Sequence, residues 1–213
     1  MVKPRKRHRK LTPARRRARY AVGKSLVAAA IVTVAAVFIL ADRAGLFGRA
    51  PTSDLNKYDG RTFRVVRVVD GDTIDIDEGD GKYPHTRIRL WGVDTPETLK
   101  QDTPVQHFGP EATGFTRAGV LDKTVRLQLQ PHRTRDNYGR LLAYVVGPDG
   151  KMLNRLLVAG GYAYADPRYN HDLKAEFAHL QRRAHKARRG LWAEVTRPDL
   201  PYYYRDTLKL TDN

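Results

Sequence analysis

The sequence predicts a mainly β fold of the α+β class: five short strands closed into a small barrel with three helices, preceded by one transmembrane helix. Three observations predict it. Short runs rich in valine, isoleucine and leucine recur between residues 62 and 146. Helical periodicity is confined to three stretches within and after them. An uncharged apolar run directly follows a strongly basic amino terminus. With 213 residues and no cysteine, the chain has room for one domain of ordinary size and holds neither a disulfide framework nor a thiolate zinc site.

The leader, 1–24, carries eleven Lys or Arg and no acid. Most of the formal charge of +16 therefore sits there, and the remainder holds 28 basic against 23 acidic residues, a net +5. That mild surplus favours a polyanionic partner without demanding one. Leu26 to Ala41 is free of charge. These residues span roughly 24 Å as a helix, short of the ~30 Å hydrocarbon core, but Tyr20 to Ser25 lengthen it if Lys24 snorkels. Residues 25–41 are therefore expected to form a transmembrane helix or signal anchor. A cleaved secretory signal is the alternative, although Ile39 and Leu40 stand where cleavage wants small residues. The charge asymmetry predicts a cytoplasmic amino terminus and an extracytoplasmic domain, secreted or periplasmic if the anchor is cleaved. Residues 42–60, with Gly45, Gly48, Pro51, Ser53 and Gly60, read as a linker.

The domain is expected over 61–193 and a carboxy-terminal tail over 194–213. Thr62 to Val69 is valine-rich, Thr73 to Asp77 and Thr86 to Trp91 alternate, and Val125 to Leu129 and Leu141 to Val146 complete five strands. Helices are expected at Pro110 to Leu121, where Pro110 suits a first helical position, at Leu153 to Val158, and over His171 to Arg189, closed by Gly190. Five strands with a helix after the third and helices at the end fit an oligonucleotide-binding (OB-fold) barrel better than a parallel sheet.

Chemistry collects at the strand ends, in VVDGDTIDI at 68–76, TRIRLWGVDTPET at 86–98 and RTRDNYGRLLAYV at 133–145. A barrel brings Asp72 and Asp94 together with the backbone carbonyl of Thr95, an all-oxygen set suited to a hard divalent cation. Glu97, held by Pro96, is placed to orient or deprotonate a water. Arg89 and Arg140 offer planar forks to phosphate oxygens. Together these are the equipment for metal-assisted cleavage of a phosphodiester. Singly they say little, since an Asp-Gly-Asp is commonly just a turn. Asp75 to Gly81 has its glycines misplaced for a calcium loop and reads as a solvated hairpin. The seven histidines show no ligand spacing, and Arg182, Arg183, Arg188 and Arg189 read as a solvated helix face.

The stretches VVDGDTIDI, RLWGVDTPET, HFGPEATGFT, RDNYGRLLAYV and DGKMLNRLLVAGGYA resemble the staphylococcal nuclease (thermonuclease) family, in order and spacing, from about residue 62 to Trp192. The resemblance implies an OB-fold barrel with three helices and a calcium-dependent nuclease that cuts DNA and RNA with little sequence preference, leaving 3′-phosphates. Position by position it implies Asp72 and Asp94 as calcium ligands with the Thr95 carbonyl, Arg89, Glu97 and Arg140 as catalytic residues, and Tyr138 and Tyr169 as nucleotide contacts. The family's lysine before that first tyrosine is Asn137 here. The working unit is expected to be a monomer. Two other readings stand beside this one: a non-catalytic nucleic-acid-binding module, against which the complete set of acids and arginines argues, and an envelope protein-interaction domain.

Overall fold

A computed structural model describes residues 30–37, 51–98 and 105–208. The chain divides into two compact units, Met1–Ala50 and Pro51–Asn213. In the first, helix α1 covers residues 30–37, all of them exposed. The predicted leader and the rest of segment 25–41 lie outside the described residues. Among the described residues, no helix is long and apolar enough to cross a membrane.

The second unit begins earlier than the sequence suggests. The last part of the expected linker is helix α2 (Pro51–Tyr58). Its Asp54, Leu55 and Tyr58 share one helical face; Asp54 and Tyr58 are fully buried and Leu55 packs against the core. The anchor is a buried ion pair. Arg135 forks onto Asp54 through Nε and Nη2, both at 2.8 Å, and Thr134 Oγ1 donates to the same carboxylate at 2.9 Å. Helix α2 is therefore part of the second compact unit, Pro51–Asn213.

The strands are β1 (Thr62–Asp70), β2 (Thr73–Ile76), β3 (Thr86–Leu90), β4 (Val93–Asp94), β5 (Thr124–Gln128), β6 (Leu141–Val146) and β7 (Tyr164–Ala165). Five of them close a barrel in the order β1-β2-β3-β6-β5, as the alternating runs predicted, and β4 pairs with β7 outside it. All pairings are antiparallel except β3 with β6. Val65, Ile74, Ile76, Ile88, Leu127, Leu141 and Val145 are fully buried in the core. The stretch Asp75 to Gly81, expected to be a solvated hairpin, is only partly so, because Asp75 lies in β2, buried and bidentate to Arg87 at 2.8 and 3.1 Å.

Three helices follow: α3 (Gly109–Val120), α4 (Leu153–Gly160) and α5 (Lys174–Lys186). α4 ends where Gly161 adopts a left-handed conformation, φ 74°. From α5, Gln181 accepts the Ala165 N–H at 2.7 Å and so ties β7 to the helix.

Between β7 and α5 lies His171, 5 % exposed, with Nδ1 2.9 Å from the Tyr144 hydroxyl and Trp91 and Phe177 around its ring. Burial, reinforced by Lys174, pulls its imidazole down to about 4. The folded ring thus stays neutral where an unfolded one titrates near 6.5. Its contribution is present above that value and is lost as the pH falls toward 4, a loss of about 2–3 kcal/mol by pH 4.5. Urea unfolding at pH 7 and 4.5 should show this loss in the wild type and a correspondingly smaller one in His171→Gln. Equal losses would place the acid sensitivity elsewhere.

Candidate active site

Three pairings bring the strand ends together. The β2–β3 register sets Thr73 opposite Arg89, and Leu90 N–H donates to the Asp72 carbonyl at 2.8 Å. The parallel β3–β6 register sets Arg89 opposite Leu142, so the turn before β6 arrives at the same end. The β4–β7 pair sets Asp94 opposite Tyr164 and brings residues 166–169 alongside. The result is a polar cleft of about 310 Å³, lined by Asp72, Arg89, Asp94, Thr95, Glu97, Tyr138, Arg140 and Tyr169, the eight residues singled out in the sequence.

Arg89 is the hub. Its Nη1 lies 2.8 Å from Asp72 Oδ2 and donates to the Val93 carbonyl at 2.7 Å; its Nη2 lies 2.7 Å from Asp94 Oδ1. Asp72 also accepts the Thr95 N–H at 2.8 Å and the Thr73 hydroxyl at 3.0 Å. The tight turn at Gly71 depends on the missing side chain, because a Cβ there would stand 2.8 Å from Cγ2 and Oγ1 of Thr95. From α3, Thr116 Oγ1 donates to the Gly71 carbonyl at 2.6 Å and holds that turn down.

Glu97 is half-buried on a segment pinned from the main chain: its N–H donates to Gln106 Oε1 and its carbonyl accepts the Gln106 N–H, both at 2.9 Å. A Cβ on Gly109 would lie 2.8 Å from Thr98 Cγ2 and 3.0 Å from the Glu97 carbonyl, so only glycine lets α3 start this close. Residues 99–104 of the same loop lie outside the described residues.

Arg140 is held by Asp136, Nε to Oδ2 at 2.7 Å, while Asp136 Oδ1 accepts the N–H groups of Tyr138 and Arg140 at 2.9 and 3.0 Å. Its guanidinium lies 5.4 Å from the ring of Tyr138, which is 87 % exposed. Tyr169 lies 6.3 Å from the Trp91 ring, with the Arg133 guanidinium 5.2 Å away. Asn137 accepts from Arg133 Nη2 at 3.1 Å.

The cleft is over-supplied with acid. Six carboxylates (Asp70, Asp72, Asp94, Glu97, Asp136, Asp166) line it against four arginines (Arg89, Arg133, Arg140, Arg168). Burial pushes the Asp72 carboxyl up to about 6, although Arg89 opposes the shift, and burial raises Asp94 in the same way. Asp72 and Asp94 are desolvated carboxylates that share Arg89, with Arg168 also reaching Asp94, and an added cation relieves such a site. Among the described residues no group of three His, Asp or Glu side chains could hold a metal. What the chain offers is two carboxylates and the Thr95 carbonyl, a thin, all-oxygen set whose donor chemistry fits calcium.

Comparison with known proteins decides the family. Residues 87–194 match the Staphylococcal nuclease homologue family. A thermonuclease of Staphylococcus hyicus is 38 % identical over 178 residues, covering 80 % of this chain and 99 % of that protein. A thermonuclease of Staphylococcus intermedius is 39 % identical, with 80 % and 95 % covered. An Escherichia coli O157:H7 protein described as an uncharacterized endonuclease is 37 % identical, with 67 % and 83 % covered. The chain belongs to the Staphylococcal nuclease homologue family. It is a nuclease, a hydrolase of phosphodiester bonds.

Other residues at this nuclease's cleft carry little signal in the sequence, among them Asp136, Trp91, Arg168 and Tyr203. Asp136 stands four residues before Arg140, a spacing that was visible but is uninformative without the turn geometry. Trp91 carries no signal beyond its place at the end of an alternating run. Arg168 is bidentate to Asp166, Nε to Oδ1 at 2.9 Å and Nη2 to Oδ2 at 2.7 Å, and reaches Asp94 Oδ2 at 3.3 Å. Tyr203 donates its hydroxyl to the same Oδ2 at 2.6 Å from a tail whose only signal was three consecutive tyrosines.

Proposed function

We propose that this nuclease is calcium-dependent and largely non-specific, hydrolysing DNA and RNA to 3′-phosphate products. We propose further that it works as a monomer held at a membrane through residues 25–41, its amino terminus cytoplasmic and its nuclease domain outside. The observation that carries the calcium reading is the acid surplus around Asp72 and Asp94: a cleft with more carboxylates than arginines repels phosphate until a cation is added. When bound, calcium supplies that missing positive charge and a Lewis-acidic contact for a phosphate oxygen.

The chain's own residues supply the rest. Glu97 takes a proton from the attacking water, whose oxygen bonds to phosphorus as the bond to the opposite 5′ oxygen breaks; that oxygen takes up a proton from solvent and leaves as a hydroxyl, so that the phosphate stays on the 3′ side. Arg89 and Arg140 donate to the phosphate oxygens as charge builds on them. Arg140 is equipped for this, since Asp136 occupies its Nε and leaves Nη1 and Nη2 without a hydrogen bond among the described residues. Exposed Tyr138 and half-exposed Tyr169 offer rings to the bases, a contact that tolerates any sequence.

Plasmid DNA and total RNA incubated with the protein test this reading. Both should be degraded with calcium and spared with chelator. Magnesium, which prefers a tight octahedral shell with most of its waters kept, should support cleavage poorly. Asp72→Ala should lose activity and calcium dependence together. Equal cleavage in excess chelator would dismiss the metal reading and leave the nuclease.

The anchor is tested separately. Full-length protein should stay with membranes through a high-salt wash, and protease added to the outer face should digest the nuclease domain while sparing the basic leader. A soluble form beginning near residue 42 would identify a cleaved signal instead. A domain protected until the membrane is broken would reverse the orientation.

A further inference from the structure

The segment after Trp192 returns to the cleft. Leu200 is buried in a cluster with Tyr164, Ala184, Leu191 and Trp192, and a short turn, Arg197–Asp199, precedes it, capped by Thr196. Tyr204 then donates its hydroxyl to the Ala165 carbonyl, fastening the tail to β7. With Leu200 and Tyr204 fastened, the Tyr203 hydroxyl reaches Asp94 Oδ2 at 2.6 Å. The Arg168 guanidinium covers the Tyr203 ring at 4.4 Å and donates to the same oxygen at 3.3 Å. Asp94 is thus held at both ends, Oδ1 by Arg89 and Oδ2 by Tyr203 and Arg168. A carboxylate gripped at both oxygens cannot rotate, and its orientation toward the cleft is set before any ligand arrives.

We propose that Tyr203 is a positioning residue for the cation site: by fixing the rotation of Asp94, it spares the binding event the cost of ordering that ligand. The proposal rests on the calcium reading above and extends it to the carboxy-terminal tail. Hydrogen-bond partners behind a metal-ligating side chain typically matter about 10- to 100-fold in affinity. Tyr203→Phe isolates the effect, because it keeps the ring under Arg168 and against Tyr204 and removes only the hydroxyl. Tyr204→Phe is the companion, removing a tail hydrogen bond of the same kind that does not touch Asp94.

The test is a calorimetric titration of the full-length protein with calcium chloride in the absence of nucleic acid, alongside the melting temperature of each variant. Tyr203→Phe should bind calcium about tenfold or more weakly. Tyr204→Phe should melt earlier while its calcium affinity stays at the wild-type value. Unchanged affinity in Tyr203→Phe, or equal weakening in both variants, would make the tail a structural strap only. Tighter binding in Tyr203→Phe would make it an inhibitory latch, and that too overturns the proposal. A wild-type protein that takes up no calcium would overturn the calcium reading and this extension with it, a result distinct from the other three.

Discussion

Glu97→Gln is expected to leave the fold intact and to slow phosphodiester cleavage by ~10² to 10⁴, the usual size of a general-base contribution. Among the described residues, the Glu97 main chain is held by the side chain and the N–H of Gln106, and Gly109 approaches it closely. Exchanging the carboxylate for an amide of nearly the same shape therefore leaves the segment where it is. What the amide cannot do is accept a proton from water. The loss corresponds to about 3–5 kcal/mol of barrier. It should fall mainly on kcat, because Arg89, Arg140 and the two tyrosines, the proposed substrate contacts, remain in place. Steady-state kinetics on a defined oligonucleotide, with circular dichroism to confirm the fold, measure it. Turnover near the wild-type rate would take Glu97 out of the proton transfer.

What could be read in the sequence follows how local each feature is. Strand β3 alternates within five residues, Ile88 inward between Arg87 and Arg89, so its existence and its face were both legible. The cleft residues were legible for a related reason. Asp72, Arg89 and Arg140 sit at or beside the ends of such strands, and a closed barrel has few ways to arrange strand ends. Helix α2 was not legible, because its octapeptide is polar and what holds Asp54 in place lies 80 and 81 residues further along. Strands β4 and β7 are two residues each, too short for any period, yet their pairing carries Asp166, Arg168 and Tyr169 to the cleft. Tyr203 is the extreme case. It meets Asp94 across 109 residues, and nothing within its own neighbourhood distinguishes it from Tyr202, which is 67 % exposed.

Arg89→Met should cost about 3–5 kcal/mol of stability at pH 8 without calcium, the typical penalty for stripping a buried charge group of its partner. The arginine side chain is 13 % exposed and that of Asp72 is 7 % exposed, so water cannot take over its role. Burial already lifts Asp72 to about 6 with the guanidinium in place, and without it both carboxylates are lifted further. A carboxyl whose folded pKa exceeds its unfolded value contributes stability below the unfolded value and loses it as the pH rises through the folded one. The variant's deficit should therefore be largest at pH 8 and shrink as the pH falls toward 4, where Asp72 and Asp94 take up protons. Urea unfolding at several pH values measures this independently of catalysis. A deficit within about 1 kcal/mol at pH 8 would mean that the two carboxylates do not depend on Arg89 as their counter-ion, an outcome in the range of ordinary exposed pairs. Arg89→Lys separates charge from shape. One ammonium group keeps a positive charge between the carboxylates but cannot span both while also reaching a phosphate, so most of the stability should return while cleavage stays slow.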